Sequence, residues 1–226
     1  CSSDLMNKNL TLILIIAALG IGTYFLTTKP REATEKMEET AMTQTEEAME
    51  ESKAPEDAVF YSLSEPSKVE YVAQKRFLQR EDAVVVGTTS SLTGEGWITP
   101  DGNSMSLSVE IDLSDLATDT PQRDKDVQNM FDVKTATIMF DETAVQDPIL
   151  FGTPFKTNVL AVVSINGVEK AVEFAATGLV SETELNVSGT AEINMSEFGV
   201  KPPSLAGVFT VDDAVTLRFD ISATAN

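Results

Sequence analysis

The stretch Met105–Leu113 reads MSLSVEIDL, in which apolar residues alternate strictly with serine or acidic residues. The same period of two recurs in ELNVSGTAEINM (184–195) and in VTLRFDISA (215–223). Successive side chains of a β-strand point to opposite faces, so each segment has one apolar face and one solvated face. Strands with one solvated face are typical of antiparallel sheets.

Turn signals separate these segments. Asn166-Gly167 lies between two apolar-rich segments and readily adopts the positive φ angles of a two-residue hairpin. The sequence PDGN (100–103) precedes the Met105 segment in the same manner. Residues 59–226 contain about eight such strands, several of them near ten residues long, which favours a closed barrel over a short-stranded sandwich. The sequence therefore predicts an all-β, eight-stranded antiparallel barrel.

One segment breaks the alternation. Residues 122–131 read QRDKDVQNMF, and the apolar residues Val127, Met130 and Phe131 have helical spacing. We predict that this segment is a short helix that covers the barrel.

An uncharged segment, LTLILIIAALGIGTYFL (10–26), precedes the strand-rich region. As a helix it would span about 25 Å, the short end of what a bilayer core requires. No small-x-small cleavage pattern follows it, which favours a retained transmembrane anchor over a cleaved signal peptide. In either case we expect the rest of the chain to lie outside the cytoplasm, in the periplasm or at the cell surface, membrane-anchored or secreted.

Two further segments flank this apolar run. Residues 1–9 are a leader, and we interpret CSSDL (1–5) as a cloning or assembly remnant, because a lipidated cysteine normally follows an apolar segment. Residues 27–58 form an acidic linker, of which residues 30–58 contain ten acidic and three basic residues and no aromatic residue. Such a composition predicts a solvated spacer that holds the folded part away from the membrane.

Charge and composition narrow the functional classes. The 16 Lys+Arg residues against 36 Asp+Glu residues give a net charge of −20, which disfavours binding of nucleic acid. Histidine is absent and the single cysteine is Cys1, which removes the commonest general base and excludes disulfides, cysteine-based zinc sites and thiol catalysis in the barrel. No acidic pair has the spaced oxygen ligands of a calcium loop. We predict no catalytic residue, no metal site and no cofactor.

The inward-facing residues offer two alternatives. They are mostly Val, Ile, Leu, Ala and Met with a few Phe, so that any guest inside the barrel must be apolar. Burial of a methylene is worth about 0.8 kcal/mol, so a chain of about 20 carbons would gain roughly 16 kcal/mol before ordering costs. A filled hydrophobic core fits the same pattern equally well.

An ordered set of short motifs runs through residues 59–226. The motifs are YSL (61–63), SKVEY (67–71), VEIDL (109–113), Thr118-Asp119, Arg123-Asp124, Phe131-Asp132, ATIMF (136–140), INGVEK (165–170), FGVKPPSLAG (198–207) and VDDAV (211–215). Together they resemble the YceI-like family of polyisoprenoid-binding barrel proteins. Lys75-Arg76-Phe77 stands where many members of that family carry a histidine.

The resemblance implies an extended, lipocalin-like barrel outside the cytoplasm that holds the tail of an isoprenoid quinone or polyprenyl lipid, without catalytic residues. Our predicted ligand-binding residues are Trp97, Val109, Ile111, Phe131, Ile138, Phe140, Val163, Phe174, Leu185, Leu217, Phe219 and Arg123.

Two polar features have alternative interpretations. Arg123 is either a clamp for a lipid headgroup or ties its loop to the barrel, while Asp124 caps free N–H groups at the helix start. The basic cluster Lys75, Arg76 and Arg80 either meets anionic lipid at the barrel mouth or balances neighbouring acidic residues.

We therefore predict a membrane-tethered binding protein, not an enzyme, that sequesters or carries an isoprenoid lipid. Its predicted partners are that lipid, or another long apolar lipid, and the membrane through residues 10–26, with no nucleic acid. One alternative is a solid-cored surface module that binds another protein. A less favoured alternative is an enzyme that modifies a lipid in the same cavity.

Overall fold

The structure, a computed structural model, describes residues 54–145 and 147–226. The predicted leader, the apolar segment 10–26 and nearly all of the acidic linker lie outside the described residues. Within the described ranges, no helix combines the length and the apolar character needed to cross a membrane.

The described part of the chain contains ten strands, one α-helix and short 3₁₀ turns. In chain order these are β1 (Val59–Phe77), β2 (Ala83–Thr89), β3 (Leu92–Ile98), β4 (Met105–Asp112), a 3₁₀ turn (Leu113–Asp115), α1 (Pro121–Gln128), β5 (Thr135–Val145), β6 (Phe155–Ile165), β7 (Val168–Val180), β8 (Glu184–Asn194), a 3₁₀ turn (Met195–Phe198), β9 (Ser204–Leu205) and β10 (Phe209–Ala225).

The strands form one antiparallel sheet that closes on itself through the pairing of β1 with β10. Both β2 and β3 pair with β1, β2 along Val69–Lys75 and β3 along Val59–Ser62, so the two short strands share one position in the wall. The two-residue strand β9 pairs only with β10. The wall of the described barrel therefore has eight positions, which confirms the predicted eight-stranded antiparallel barrel.

The predicted hairpin turns are confirmed. Asn166 and Gly167 connect β6 to β7 with φ angles of 55° and 77°, a conformation that asparagine and glycine tolerate best. The side-chain oxygen of Asn166 also accepts hydrogen bonds from the backbone N–H groups of Asp132 (2.7 Å) and Val133 (3.1 Å). This hairpin therefore anchors the segment that follows α1.

The predicted helix is present but shorter than expected. It begins with Pro121, whose fixed φ suits the first turn, and ends at Gln128 with Asn129 as its C-cap. Met130 and Phe131 lie beyond the helix end, yet both pack against the barrel core. Their contribution to the interior therefore comes from the turn after the helix rather than from a helical face.

One half of the barrel interior is solid. Phe140, Phe174 and Phe219 pack with ring centroids 5.3–6.1 Å apart, and each is at most 4% exposed. The ring of Phe219 lies directly on Gly189, where a Cβ atom would overlap the ring. Glycine at this position is therefore required by packing.

We expect Gly189→Ala to lower the free energy of unfolding by about 1–3 kcal/mol, because the added methyl group must displace a ring held by two other rings. The measurement is urea unfolding followed by the fluorescence of Trp97, the single tryptophan. Thr190→Ala on the exposed face of β8 is the matched control, with an expected change within about 0.5 kcal/mol. Equal stability of Gly189→Ala and wild type would contradict this packing.

Candidate functional site

The other half of the barrel contains a cavity of about 360 Å³. This volume lies within the range of about 300–1,000 Å³ that is typical of ligand pockets. The walls come from the second half of β1, from β2, from the first half of β10 and from the neighbouring ends of β5 and β6. Small residues at inward positions of these walls, among them Ala73, Ala136 and Val215, leave space open. In the solid half of the barrel, which we call the closed half, phenylalanine rings fill the corresponding space.

Residues 113–131 complete the wall beside β2. Leu113 and Leu116 come before α1, Val127 lies on it, and Met130 and Phe131 follow it; all five line the cavity. Because the Phe140 cluster fills the barrel behind it, the cavity is closed at its inner end. Its lining is mostly apolar and therefore suits an apolar guest.

The predicted ligand-binding residues divide into two groups. Six of them line the cavity: Ile111, Phe131, Ile138, Val163, Leu217 and Arg123. Six do not: Val109, Phe140, Phe174, Leu185 and Phe219 are buried in the core, and Trp97 lies outside it. The structure thus brings half of the predicted set together, and the ligand-binding role of every member stays a prediction.

We expected Trp97 to bind the ligand, but the alternation of β3 places it away from the cavity. Its neighbour Gly96 lies opposite the inward-facing Tyr61, so Trp97 falls on the outer face of β3, opposite Phe60. It is nevertheless only 7% exposed. The sequence pattern around Trp97 is too glycine-rich to reveal which face carries the ring.

Several polar residues that line the cavity were not among the predicted ligand-binding residues, Tyr71 and Lys75 among them. Val69, Tyr71, Ala73 and Lys75 follow one another at alternate positions of β1, and all four line the cavity. This spacing was a usable signal, since it places Tyr71 and Lys75 on the same face as two apolar residues.

Tyr71 has a buried hydroxyl group. Its ring covers Gly87 of β2, where a Cβ atom would overlap the ring. No atom of the described residues forms a hydrogen bond with the hydroxyl oxygen. Burial raises the pKa of Tyr71 to about 12, with Arg123 lowering it and Asp124 raising it to a smaller extent. The phenol is therefore a protonated hydrogen-bond donor at neutral pH, close to the start of α1.

Lys75 lies further along the same face of β1. Its Nζ atom is 3.8 Å from the ring centroid of Phe209 and 5.2 Å from that of Phe77, so that the charge rests on aromatic faces. Burial lowers the pKa of Lys75, and the positive charges of Arg123 and Arg80 lower it further. These contacts hold an ammonium group at the cavity wall.

The predicted basic cluster is divided by the alternation of β1. Arg76 points to the outer face, where its guanidinium group donates hydrogen bonds to Asp212 at 2.6–3.0 Å and forms an ion pair with Asp82 at 3.4 Å. Arg76 therefore balances neighbouring acidic residues, as one of the two interpretations held. Lys75 alone of the adjacent pair lines the cavity.

Arg123 and Asp124 both stabilise the loop before α1. The Asp124 carboxylate accepts hydrogen bonds from the backbone N–H and the hydroxyl of Thr118, both at 2.6 Å, and these bonds lower the pKa of Asp124. It thus caps the loop rather than the helix N–H groups that we expected. Arg123 forms an ion pair with Asp119 and also lines the cavity, so its structural role does not remove it from the site.

Comparison with models of known protein families shows which family this barrel belongs to. Residues 64–223 match the family model described as YceI-like domain. The chain belongs to the YceI-like family. Comparison with curated proteins finds no sequence match.

Two solved structures share this YceI-like fold. A polyisoprenoid-binding domain from Saccharophagus degradans, implicated in plant cell wall breakdown, aligns with a TM-score of 0.57 at 16% identity, over 74% of this chain and 98% of that one. BcnA from Burkholderia cenocepacia aligns with a TM-score of 0.56 at 19% identity, over 70% of this chain and 96% of that one. At these identities the similarity concerns the fold.

The two buried tyrosines of this YceI-like barrel should respond oppositely to loss of their hydroxyl groups. Tyr71→Phe removes an unpartnered buried donor, so we expect the ligand-free protein to gain about 1 kcal/mol of stability at pH 8. Tyr61→Phe, the control, removes a 2.6 Å hydrogen bond to the carbonyl of Ser181 and should lose about 1 kcal/mol. Urea unfolding measures both changes.

Comparison of Tyr71→Phe with wild type also tests the pKa of Tyr71. A pKa raised from 10.0 to about 12 by folding gives a contribution to stability that is present below pH 10 and is lost as the pH rises toward 12. The stability advantage of Tyr71→Phe over wild type should therefore grow between pH 9 and pH 11. An advantage that stays constant over this range would show that the Tyr71 phenol titrates normally.

Proposed function

We propose that this protein binds a lipid with a long apolar tail and shelters the tail inside the barrel. The observation that carries the proposal is the apolar cavity of about 360 Å³, closed behind by the phenylalanine cluster. Membership of the YceI-like family and the polyisoprenoid-binding description of the Saccharophagus degradans domain support an isoprenoid tail, as in a quinone or a polyprenyl lipid.

The mechanism is reversible burial of the tail, with no covalent bond made or broken. Each buried methylene contributes about 0.8 kcal/mol, and the preformed walls reduce the ordering cost on the protein side.

Thr89 and Thr137 are the neutral hydroxyl-bearing side chains besides Tyr71 that line the described cavity. Because no serine stands among its described lining residues, the lipid-modifying alternative has no additional support.

The solid-cored alternative predicts side chains that meet across the whole interior. The Phe140 cluster does so in one half, but the half beside α1 contains the cavity. This difference between the two halves favours lipid binding over an interaction module that uses only its acidic exterior.

We further propose that the barrel works outside the cytoplasm as a tethered carrier or reservoir. The apolar segment 10–26 and the acidic linker 27–58 support this role, since together they would hold the barrel near a membrane at a raised effective concentration. The linker joins β1 at Val59, in the closed half of the barrel. The cavity therefore lies at the end away from the attachment point.

Purified protein should carry a lipid of this class. We expect organic extraction followed by mass spectrometry to detect an isoprenoid quinone or polyprenyl lipid at up to one molecule per chain. Extraction of a membrane protein of similar size purified in the same detergent controls for lipid carried by micelles. A protein that contains no such lipid and also fails to bind added quinones and polyprenols would overturn the proposal.

Filling the cavity should abolish binding. Ala136 is 4% exposed and lines the cavity, so Ala136→Phe places a ring in the space proposed for the tail. We expect bound lipid to fall at least about ten-fold, the equivalent of about 1.4 kcal/mol. Ala175→Phe on the exposed face of β7 is the matched control and should retain wild-type lipid content. Equal lipid content in the two variants would place the ligand outside this cavity.

A further inference from the structure

Three side chains that donate hydrogen bonds line the cavity, beside the carboxylates of Asp126 and of Glu70, which is paired with Lys68. Tyr71 supplies a buried phenol, Lys75 an ammonium group and Arg123 a guanidinium group, and all three residues line the cavity. The Tyr71 hydroxyl oxygen is buried and has no hydrogen-bond partner in the described part of the chain. A buried polar group of this kind is normally satisfied, so its position inside a cavity points to a ligand atom.

The charge of Lys75 is similarly uncompensated. Of the ion pairs formed by the described residues, none includes Lys75, and its Nζ atom instead rests on the rings of Phe209 and Phe77. Asp126 of α1 is a carboxylate on the same cavity wall, but it does not approach Lys75 or Arg123 within 4.0 Å. Arg123 is already paired with Asp119. Of the two cations that line the described cavity, Lys75 is therefore the one without an ion pair.

We propose that Tyr71 and Lys75, with Arg123 nearby, bind an anionic oxygen acid at the end of the lipid, a carboxylate or a phosphate. This inference rests on the proposed function, because the tail of the same molecule occupies the apolar part of the cavity. A neutral alcohol or a quinone carbonyl satisfies the phenol donor but leaves the ammonium group without an anion. An acid oxygen satisfies both, as a hydrogen-bond acceptor and as a charge.

The positions of the two donors explain why the acid would lie beside Tyr71 and Lys75. The Tyr71 ring is held flat on Gly87, and Lys75 is held by two aromatic rings, so both donors are positioned before the ligand arrives. Positioned donors at the edge of a low-dielectric cavity form stronger bonds to an anion than the same groups do in water. Tyr71 and Lys75 thus determine which headgroup accompanies the apolar tail.

Four probes test the proposal: geranylgeranyl phosphate, geranylgeranoic acid, geranylgeraniol and inorganic phosphate. The first three share one C20 tail and differ in headgroup. Equilibrium dialysis of the delipidated full chain, at one fixed detergent concentration, gives their dissociation constants. We expect at least one of the two acids to bind about ten-fold or more tightly than the alcohol, and the preferred acid distinguishes phosphate from carboxylate recognition.

Variants assign the effect to named groups. We expect Lys75→Gln to weaken acid binding about ten-fold or more beyond any effect on alcohol binding, and Lys75→Arg to restore most of the loss. Tyr71→Phe should weaken acid binding about ten-fold. Lys156→Gln, at an exposed lysine of β6 that does not line the cavity, is the matched control and should bind every probe as wild type does. Thermal unfolding checks that each variant is folded.

The outcomes separate this inference from the proposed function. If the alcohol binds wild type as tightly as both acids, or if Lys75→Gln weakens all three lipids equally, the anionic headgroup is wrong while lipid binding stands. If no C20 probe binds, the proposed function fails, and the headgroup inference fails with it. If inorganic phosphate binds as tightly as geranylgeranyl phosphate, the site holds a free anion and the headgroup inference is overturned.

Discussion

Closure of the sheet between β1 and β10 is the constraint on which the rest of this structure depends. Once β1 pairs with β10, the alternating strands can satisfy their backbone hydrogen bonds around a ring, and every inward position becomes interior. The pairing is irregular at one place that matters. Between Ala73 and Lys75 the register shifts, because β10 inserts extra residues at Asp212–Ala214. Asp212 there bonds Arg76 on the outer face, while the alternation of β1 places Lys75 at the cavity.

The two halves of the interior differ in how completely side chains fill them. Rings from β5, β7 and β10 meet in one half, whereas alanine and valine occupy equivalent inward positions in the other. Protein interiors are close-packed, so small inward residues on facing walls leave space unless the walls collapse. Hydrogen bonding of the closed ring resists such collapse. The cavity is thus a consequence of where the large residues stand along the strands.

Much of the fold could be predicted from the sequence, and particular residues show why. The alternation in Met105–Leu113 and the Asn166-Gly167 turn are local signals, and both act in the structure as their chemistry requires. The break at residues 122–131 also indicated the helix, although Asn129 ends it early. Local signals sufficed because strand parity and turn conformation depend on neighbouring residues.

The site was less predictable because it depends on contacts between distant strands. The sequence left a filled and a hollow barrel open, since both use the same apolar residues. The Phe140 cluster forms across three strands, which no local pattern reveals. Tyr71 was not predicted, and Lys75 was considered only as a member of the basic cluster, because a strand with polar residues on its inner face resembles one with two solvated faces. Their importance follows from the apolar residues that surround them.

Backbone hydrogen bonding is sparser on one side of the cavity than around the rest of the described wall. β2 lies at one end of the strand order, and beyond its pairing with β1 its second edge is bridged, in the described chain, at Thr88–Ala117. The panel 113–134 that fills this side is attached to the wall by this bridge and by the Asn166 side chain, whereas the hydrogen bond from the Gln128 amide to the Leu116 carbonyl lies within the panel itself. Outward displacement of this panel breaks fewer backbone hydrogen bonds than parting any two long strands. Entry of a guest on this side would therefore break fewer backbone hydrogen bonds than entry between two long strands, and the ladder of the remaining wall would stay intact.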